Sequence, residues 1–377
     1  MDVIAKERRR TISLAERMNE IGRPTSGFDY MRLSLSVFIL VWHSFLVTNG
    51  LAWTRDAILL PTGVVIRLAL PMFFALSGFL VAGSLERNPS VPTFVLFRAL
   101  RILPALAVEI TLSAVVIGGL TTTLVATQYY DSAMFWSYFL NIVGWIHYNL
   151  PGVFTTNPDD TVNRSLWTIP SELECYLFLV GAALLRLYSG RYRLLFLVIG
   201  VYAAYLIFRV ARNGALPGFQ PMGGTVLSRM LIFYFMTGVV FYRFRDRIPF
   251  SLPLCLASIV VAVATLLFDQ TVWLSLVPVA YVTVYLGLLN PPKIALLLRG
   301  DYSYGIYLYA YPIQQVYVYL FPGAPWYVNL ALALPTTAIF AVFSWHAIER
   351  PALTLKRAFA RRSPPPDAAN RGLGPAG

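Results

Sequence analysis

The sequence predicts an all-α, polytopic integral membrane protein, and three observations carry that expectation. Of its 377 residues, 57% are hydrophobic and only 13% charged, and the mean hydropathy is +0.63, too apolar for a domain that must present a polar surface to water. Apolar runs of about 18 to 22 residues, the length that crosses a hydrocarbon core of roughly 30 Å, recur from end to end. Lys and Arg gather in alternate loops, as membrane insertion requires.

About ten spans follow in order, near residues 28–48, 65–85, 101–122, 166–186, 192–210, 227–244, 252–268, 271–289, 302–321 and 328–348. Residues 1–27 are polar and basic, lack the apolar core of a cleavable signal, and form a cytoplasmic N-terminal segment. Residues 28–350 make up the transmembrane domain. Residues 351–377, ending in RRSPPPDAANRGLGPAG, are expected to be a cytoplasmic, largely disordered tail. Between the third and fourth spans lies a long outward loop, residues 123–165, whose stretch SAMFWSYFLNIVGWIHY is aromatic but short, and reads as an interfacial or re-entrant helix.

Lys6, Arg8, Arg9, Arg10, Arg17, Arg23, Arg87 and Arg98, the turns at 186–193, 243–247 and 293–299, and Lys356, Arg357, Arg361 and Arg362 fall on one side. Both termini are then cytoplasmic. The opposite loops carry only Arg55, Arg164, Arg212 and a few residues near span ends. Topology therefore explains the net charge of +12, and no nucleic-acid partner is expected, because that would need a basic patch on a folded surface. Cys175 and Cys255 both fall within spans, and the three histidines form no ligand cluster, so neither a disulfide framework nor a metal site is expected.

The chemistry begins with Arg32 and His43. Eleven residues apart in one span, they project from one face about 16 Å apart along the axis. An ionisable group inside a span is costly and so is a functional candidate. His43 lies about 21 Å beyond Asp29, in the outer third of its span, and Glu172 lies roughly 9 Å in from the outer end of the fourth. An imidazole at that depth can take a proton from a hydroxyl, and a carboxylate accepting its other N–H would fix the tautomer. The plainer alternative is that His43 bonds a backbone carbonyl and only packs helices.

At the inner face, FRALRILPA sets Arg98 and Arg101 one turn apart, a fork suited to phosphate, although topological anchoring alone would also place arginines there. Glu109 reads as the neutraliser of an arginine. Ser77 and Gly78 read as helix-packing residues. Tyr304, Tyr307 and Tyr311 share a helix face, with Gln314 and Gln315 beyond, either as aromatic anchors or as partners of a hydroxylated ligand.

Together these segments resemble the acyltransferase family 3 membrane proteins, bacterial-type O-acyltransferases, from Asp29 to Pro351. FDYMRLSLSVFILVWHS is similar to the family's opening segment, with its basic residue and histidine at Arg32 and His43. FFALSGFL is similar to the second-span signature, and FRALRILPAL to the arginine-x-x-arginine motif through Arg98 and Arg101. SLWTIPSELECYLF resembles the tryptophan and glutamate segment through Trp167 and Glu172, and SYGIYLYAYPIQQ and AIERP resemble the last two spans, the latter through Glu349 and Pro351. Ala310 departs from the pattern, standing where many members have histidine. His43 then acts alone, or Tyr307 and Tyr311 supply what is missing.

The resemblance implies a membrane-embedded O-acyltransferase, an O-acetyltransferase above all, in a bacterial-type inner (cytoplasmic) membrane. The donor would be cytoplasmic acyl-CoA, usually acetyl-CoA, with no permanently bound cofactor, and the acceptor a hydroxyl of an extracytoplasmic or lipid-linked glycan. Arg32, Arg98 and Arg101 would hold CoA, and His43 would be the general base with Glu172 beside it. Trp167, Tyr307, Tyr311 and Gln314 would face the acceptor. Direct transfer is the preferred course, and a relay through an acyl-enzyme the alternative. Membrane lipids are partners, and a homo-oligomer is open. The competing class is a secondary transporter or flippase of a glycan or small hydroxylated metabolite, although the sequence shows neither an internal repeat nor paired broken helices.

Overall fold

The computed structural model describes residues 12–22, 25–59, 63–88, 90–219, 226–295 and 299–355. Lys6, Arg8, Arg9, Arg10, Arg23, Lys356, Arg357, Arg361 and Arg362, with most of the tail, lie outside the described residues. Regular structure among the described residues is helical, apart from three isolated bridge pairs.

The first helix, α1 (Leu14–Ile21), starts at a capping box in which Ser13 and Glu16 satisfy each other's backbone N–H. The N–H groups of Leu14 and Ala15, which no helical carbonyl can reach, donate instead to Ile248 and Arg245 carbonyls at 2.9 Å each. This ties α1 across one end of the bundle. Among the described residues ten longer helices follow: α2 (Ser26–Leu59), α3 (Val64–Arg87), α4 (Val91–Thr111, continuing through a π-turn to Thr121), α5 (Ile169–Leu184), α6 (Arg191–Asn213), α7 (Ser228–Arg243), α8 (Leu252–Leu267), α9 (Leu276–Gly287), α10 (Ser303–Leu320) and α11 (Trp326–Ser344).

Among the described residues five stretches are long and apolar enough to cross a membrane: Ser26–Thr54, Val64–Arg87, Val91–Thr121, Arg191–Asn213 and Trp326–Leu355. Of the other five expected spans, four are shorter helices than the apolar runs suggest, α9 having only 12 residues and α5, α7 and α8 having 16 each, while α10 has 18 residues but six tyrosines and two glutamines lower its hydropathy. The chain leaves the α-helix early at 3-10 turns, Arg164–Thr168 before α5 and Asp269–Leu274 before α9, which absorb apolar residues that the runs had counted as helix.

The centre of the bundle is the contact of α3 with α7. A Cβ on Gly78 would collide with the Phe235 backbone and one on Gly238 with the Ala75 backbone, so only glycine permits this approach. The basic turns share one end of the bundle. Arg191 pairs with Asp246 at 2.7 Å, Arg245 with Glu86 at the foot of α3 at 3.2 Å, and Tyr30 donates to the Pro292 carbonyl at 2.8 Å. This is the basic end.

The opposite, loop end is covered by residues 122–168, which include the short helices Ala126–Tyr130 and Ala133–Tyr138. Trp136, Val143 and Trp145 are 64%, 68% and 67% exposed, an apolar surface suited to a lipid–water boundary. Asp159, Thr161 and Asn163 of the same segment are instead buried, because this part of the loop turns down into the bundle.

Candidate active site

At the basic end, α2, α3, α4, α5 and α10 enclose a cavity of about 350 Å³ whose polar lining includes Arg32, Arg98, Arg101, Glu172, Tyr304 and Tyr307. A second cavity of about 440 Å³ shares Arg32, Leu80 and Arg87 with it and continues beneath α1 at Met18 and Gly22. Two of the three arginines are already held. Arg32 pairs with Asp301 at 2.9 Å, and Arg101 bridges Asp301 at 2.6 Å and Glu349 at 2.7 Å. Burial alone would push the Asp301 carboxyl up, but the Arg101 and Arg32 guanidiniums hold it at about 2.

Arg98 is different. Among the described residues it has no carboxylate in salt-bridge range, its Nε is buried without a partner, and its Nη2 makes only a long 3.5 Å contact to Ser84 Oγ. Its guanidinium lies near the rings of Phe94 and Tyr176, 5.8 and 6.0 Å from their centroids. The fixed pair Arg32 and Arg101 thus frames a guanidinium whose fork can still take an anion.

At the loop end, the His43 imidazole meets the Tyr311 ring edge-on, with centroids 5.0 Å apart and planes at 81°. The Tyr311 hydroxyl donates to Asp159 Oδ2. Arg164 grips the same carboxylate with Nε at 2.9 Å and Nη2 at 2.7 Å, and Thr161 Oγ1 donates to it at 2.8 Å. Burial raises the Asp159 carboxyl, yet the hydrogen bonds and charge of Arg164, with Tyr311 and Thr161, bring it below the usual carboxylate range.

Gln315 fixes the backbone of this loop, its Nε2 donating to the carbonyls of Asp159 at 2.7 Å and Thr161 at 2.6 Å. Arg164 and Asp159 are the charged groups that act on His43, whose Nδ1 is buried with no partner among the described residues. Between the two clusters stands Tyr307, one turn before Tyr311. It donates to the Ser165 carbonyl at 2.8 Å and shares a 2.5 Å hydrogen bond with Thr168, where the first cavity ends.

The structure therefore brings Arg32, Arg98 and Arg101 to one cavity and sets His43 and Tyr311 together beyond it. The expected pairing of His43 with Glu172 does not form. Glu172 accepts a 2.5 Å hydrogen bond from Tyr176, and the arginines acting on it are Arg101, Arg98 and Arg32, because the 3-10 turn before α5 and the overlying loop set its first turn down into the basic cavity. Gln314 binds the Leu40 carbonyl at 2.8 Å and Ser44 Oγ at 2.7 Å, so it joins α10 to α2 and does not face an open cavity.

Trp167 is half-buried against the core and absent from the walls of both cavities. Among the described residues Glu109 pairs with no arginine; its Oε1 accepts from Asn163 at 2.9 Å and Ser113 at 2.8 Å. Sequence reasoning passed over Asp159, Thr161, Asn163 and Asp301. The available signal was the polar run DDTVNR in a loop otherwise rich in aromatics, facing a span with tyrosines and glutamines in need of partners.

Residues 25–345, which contain both clusters, match the acyltransferase 3 family, described as an acyltransferase domain. The chain belongs to this family. It is accordingly an acyltransferase, with the apolar helices of a multi-pass membrane protein, and the transporter alternative falls away. The acyltransferase is 24% identical over 352 residues to an "O-acetyl transferase" of Shigella phage Sf6, covering 87% of this chain and 96% of that one. It is 26% identical over 367 residues to "Nodulation protein 10" of Rhizobium leguminosarum bv. viciae, covering 89% and 95%. No solved structure matches the acyltransferase.

Proposed function

We propose that this enzyme takes an acyl group, acetyl in the first instance, from acyl-CoA at the basic end and passes it to a hydroxyl of an extracytoplasmic or lipid-linked glycan at the loop end, with His43 as general base. The observation that carries the reading is the arginine cavity with its unpaired Arg98, whose inner end at Thr168 and Tyr307 is about one turn of α10, roughly 6 Å along its axis, from the ring that holds His43. CoA phosphates suit Arg98 with Arg32 and Arg101 around it, and the extended pantetheine arm can lead the thioester inward. The printed name of the phage relative favours acetyl.

In this reading α2 to α11 are all spans, including the short ones, so both termini lie with the basic turns on the cytoplasmic side of an inner membrane. Residues 28–350 form the catalytic unit between cytoplasmic segments 1–27 and 351–377.

The acceptor oxygen bonds to the thioester carbon as its proton passes to His43. Collapse of the tetrahedral adduct breaks the C–S bond, and the departing CoA thiolate takes the proton back from the imidazolium. Tyr311, held by Asp159, sets the plane of the imidazole from the side. Glu172 acts among the arginines and adjusts how tightly the anionic donor is held. Transfer from labelled acetyl-CoA, measured in vesicles containing purified enzyme and glycan acceptor, tests the scheme. Wild type should transfer label and release CoA, and His43→Gln should lose about 10² to 10⁴ in rate at equal protein. Near-normal transfer by His43→Gln would overturn it.

A further inference from the structure

A third cavity, of about 220 Å³, lies away from both clusters between α5, α6 and α7, walled by Phe178, Val198, Val201, Ile232, Phe233 and Met236. Its one charged wall residue is Arg229, in the first turn of α7, and Tyr205 lies within electrostatic reach of both Arg229 and Arg209. Among the described residues neither arginine has a carboxylate in salt-bridge range, and Arg209 Nε is buried with no acceptor at all.

The Arg191–Asp246 pair fixes the first turn of α6 beside the end of α7 at the basic end. Arg209 lies about 27 Å further along α6, and Arg229 about 21 Å back along α7 from Arg243, so both approach the loop end. From Arg229 to Met236 the groove runs about 10 Å, two thirds of the roughly 15 Å hydrocarbon depth of one leaflet.

We propose that this groove binds one anionic phospholipid of the leaflet at the loop end, its phosphate on Arg209 and Arg229 and one acyl chain along Val198, Val201 and Met236. Charge complementarity selects the occupant. Arg229 stands in the wall of a groove otherwise lined by Tyr205 and apolar side chains, Arg209 acts on the same Tyr205, and neither has a carboxylate partner among the described residues, so a phosphate would offer the acceptor oxygens that Arg209 Nε and the Arg229 fork lack. A chain alone would satisfy the walls and leave both charges unmet. The lipid also has structural work to do, since α6 fully buries only Leu194 and Val198 and otherwise meets the protein through Leu197, Tyr202 and Tyr205. A bound chain fills the space between α6 and its neighbours.

Native mass spectrometry of the purified full chain, taken from vesicles of phosphatidylcholine with one fifth phosphatidylglycerol, tests the site without donor or acceptor, so its failure leaves the acyl-transfer reading standing. Wild type should retain one phosphatidylglycerol at least tenfold above its share of the vesicle. The Arg209→Gln/Arg229→Gln double variant should lose that enrichment, while Arg212→Gln, which removes the same kind of charge from the last turn of α6, should keep it. Val201→Trp, which fills the groove from its exposed wall, should expel the lipid with both arginines intact. Equal retention by wild type and the double variant, loss in Arg212→Gln, no preference for phosphatidylglycerol over phosphatidylcholine, or a lipid still held by Val201→Trp would each overturn the proposal.

Discussion

The two ends of the bundle handle buried charge in opposite ways. At the basic end, Arg32, Arg98 and Arg101 surround open space, and Asp301 and Glu349 answer only two of them. At the loop end, Asp159 and Arg164 answer each other completely, Tyr311 and Thr161 fill the remaining acceptor positions, and His43 is packed against the result. A surplus cation beside a cavity is arranged for an anionic ligand that comes and goes, whereas a closed ion pair beside an imidazole is arranged to hold geometry. Changes at the first should therefore alter how much donor is needed. Changes at the second should alter how fast bound donor reacts.

The largest effect after that of His43 itself is expected at Asp159. Asp159→Asn leaves the partly buried Arg164 charge without its partner, which should cost about 3 kcal/mol of stability, the lower end of the range for a broken buried pair. Turnover per folded molecule at saturating acyl-CoA should also fall at least tenfold with the donor KM unchanged, and this split is what a mere scaffold would not give. If thermal melting drops while turnover per folded molecule stays normal, the loop only covers the bundle.

A smaller effect, about 2 kcal/mol, is expected at Asp301, whose carboxyl is held at about 2 against an ordinary 3.8. Because the folded value is depressed, this stabilisation is complete above the unfolded value and is lost as pH falls from about 4 through about 2. Asp301→Asn should melt below wild type at pH 7, and the gap should close across that acid window. A gap that is constant down to pH 2.5 would remove the ion network from the explanation.

The smallest effect separates Arg98 from Glu172. Arg98→Ala should raise the acyl-CoA KM about tenfold, equivalent to about 1.4 kcal/mol, with turnover at saturation preserved, and Arg98→Lys should restore part of it because the charge returns without the fork. Glu172→Gln should likewise act on donor dependence. A loss of turnover at saturating donor, with KM unchanged, would return Glu172 to the histidine.

Much of this comparison was legible in the sequence. The apolar runs located the longer helices in outline, although α4 starts at Val91 and not near residue 101, so Arg98 and Arg101 lie two to three turns inside it; the grouping of Arg32, Arg98 and Arg101 came from the family resemblance, and the structure sets all three in the wall of one cavity. Glu172 meets the arginines instead of His43 because the run 166–186 takes Leu166–Thr168 as α-helix where the chain makes a 3-10 turn, which shifts both rise and direction. Asp159 left only the trace of the polar run DDTVNR, and its burial has a different reason. Nothing local requires a loop to dip into a bundle, and only the partners waiting on α10, Tyr311 and Gln315, make its burial possible. Gln314 was read as facing a ligand because an amide in a span needs partners, and the structure supplies them from α2.

The division of labour between the two ends is tested most directly by sealed vesicles holding the enzyme in one known orientation, with labelled acetyl-CoA added to one face at a time and the glycan acceptor present on both. Transfer should proceed when the donor meets the Arg98 face, with the label appearing on acceptor at the His43 face, and should be absent from the opposite arrangement and from His43→Gln. Equal transfer from donor on either face would contradict it.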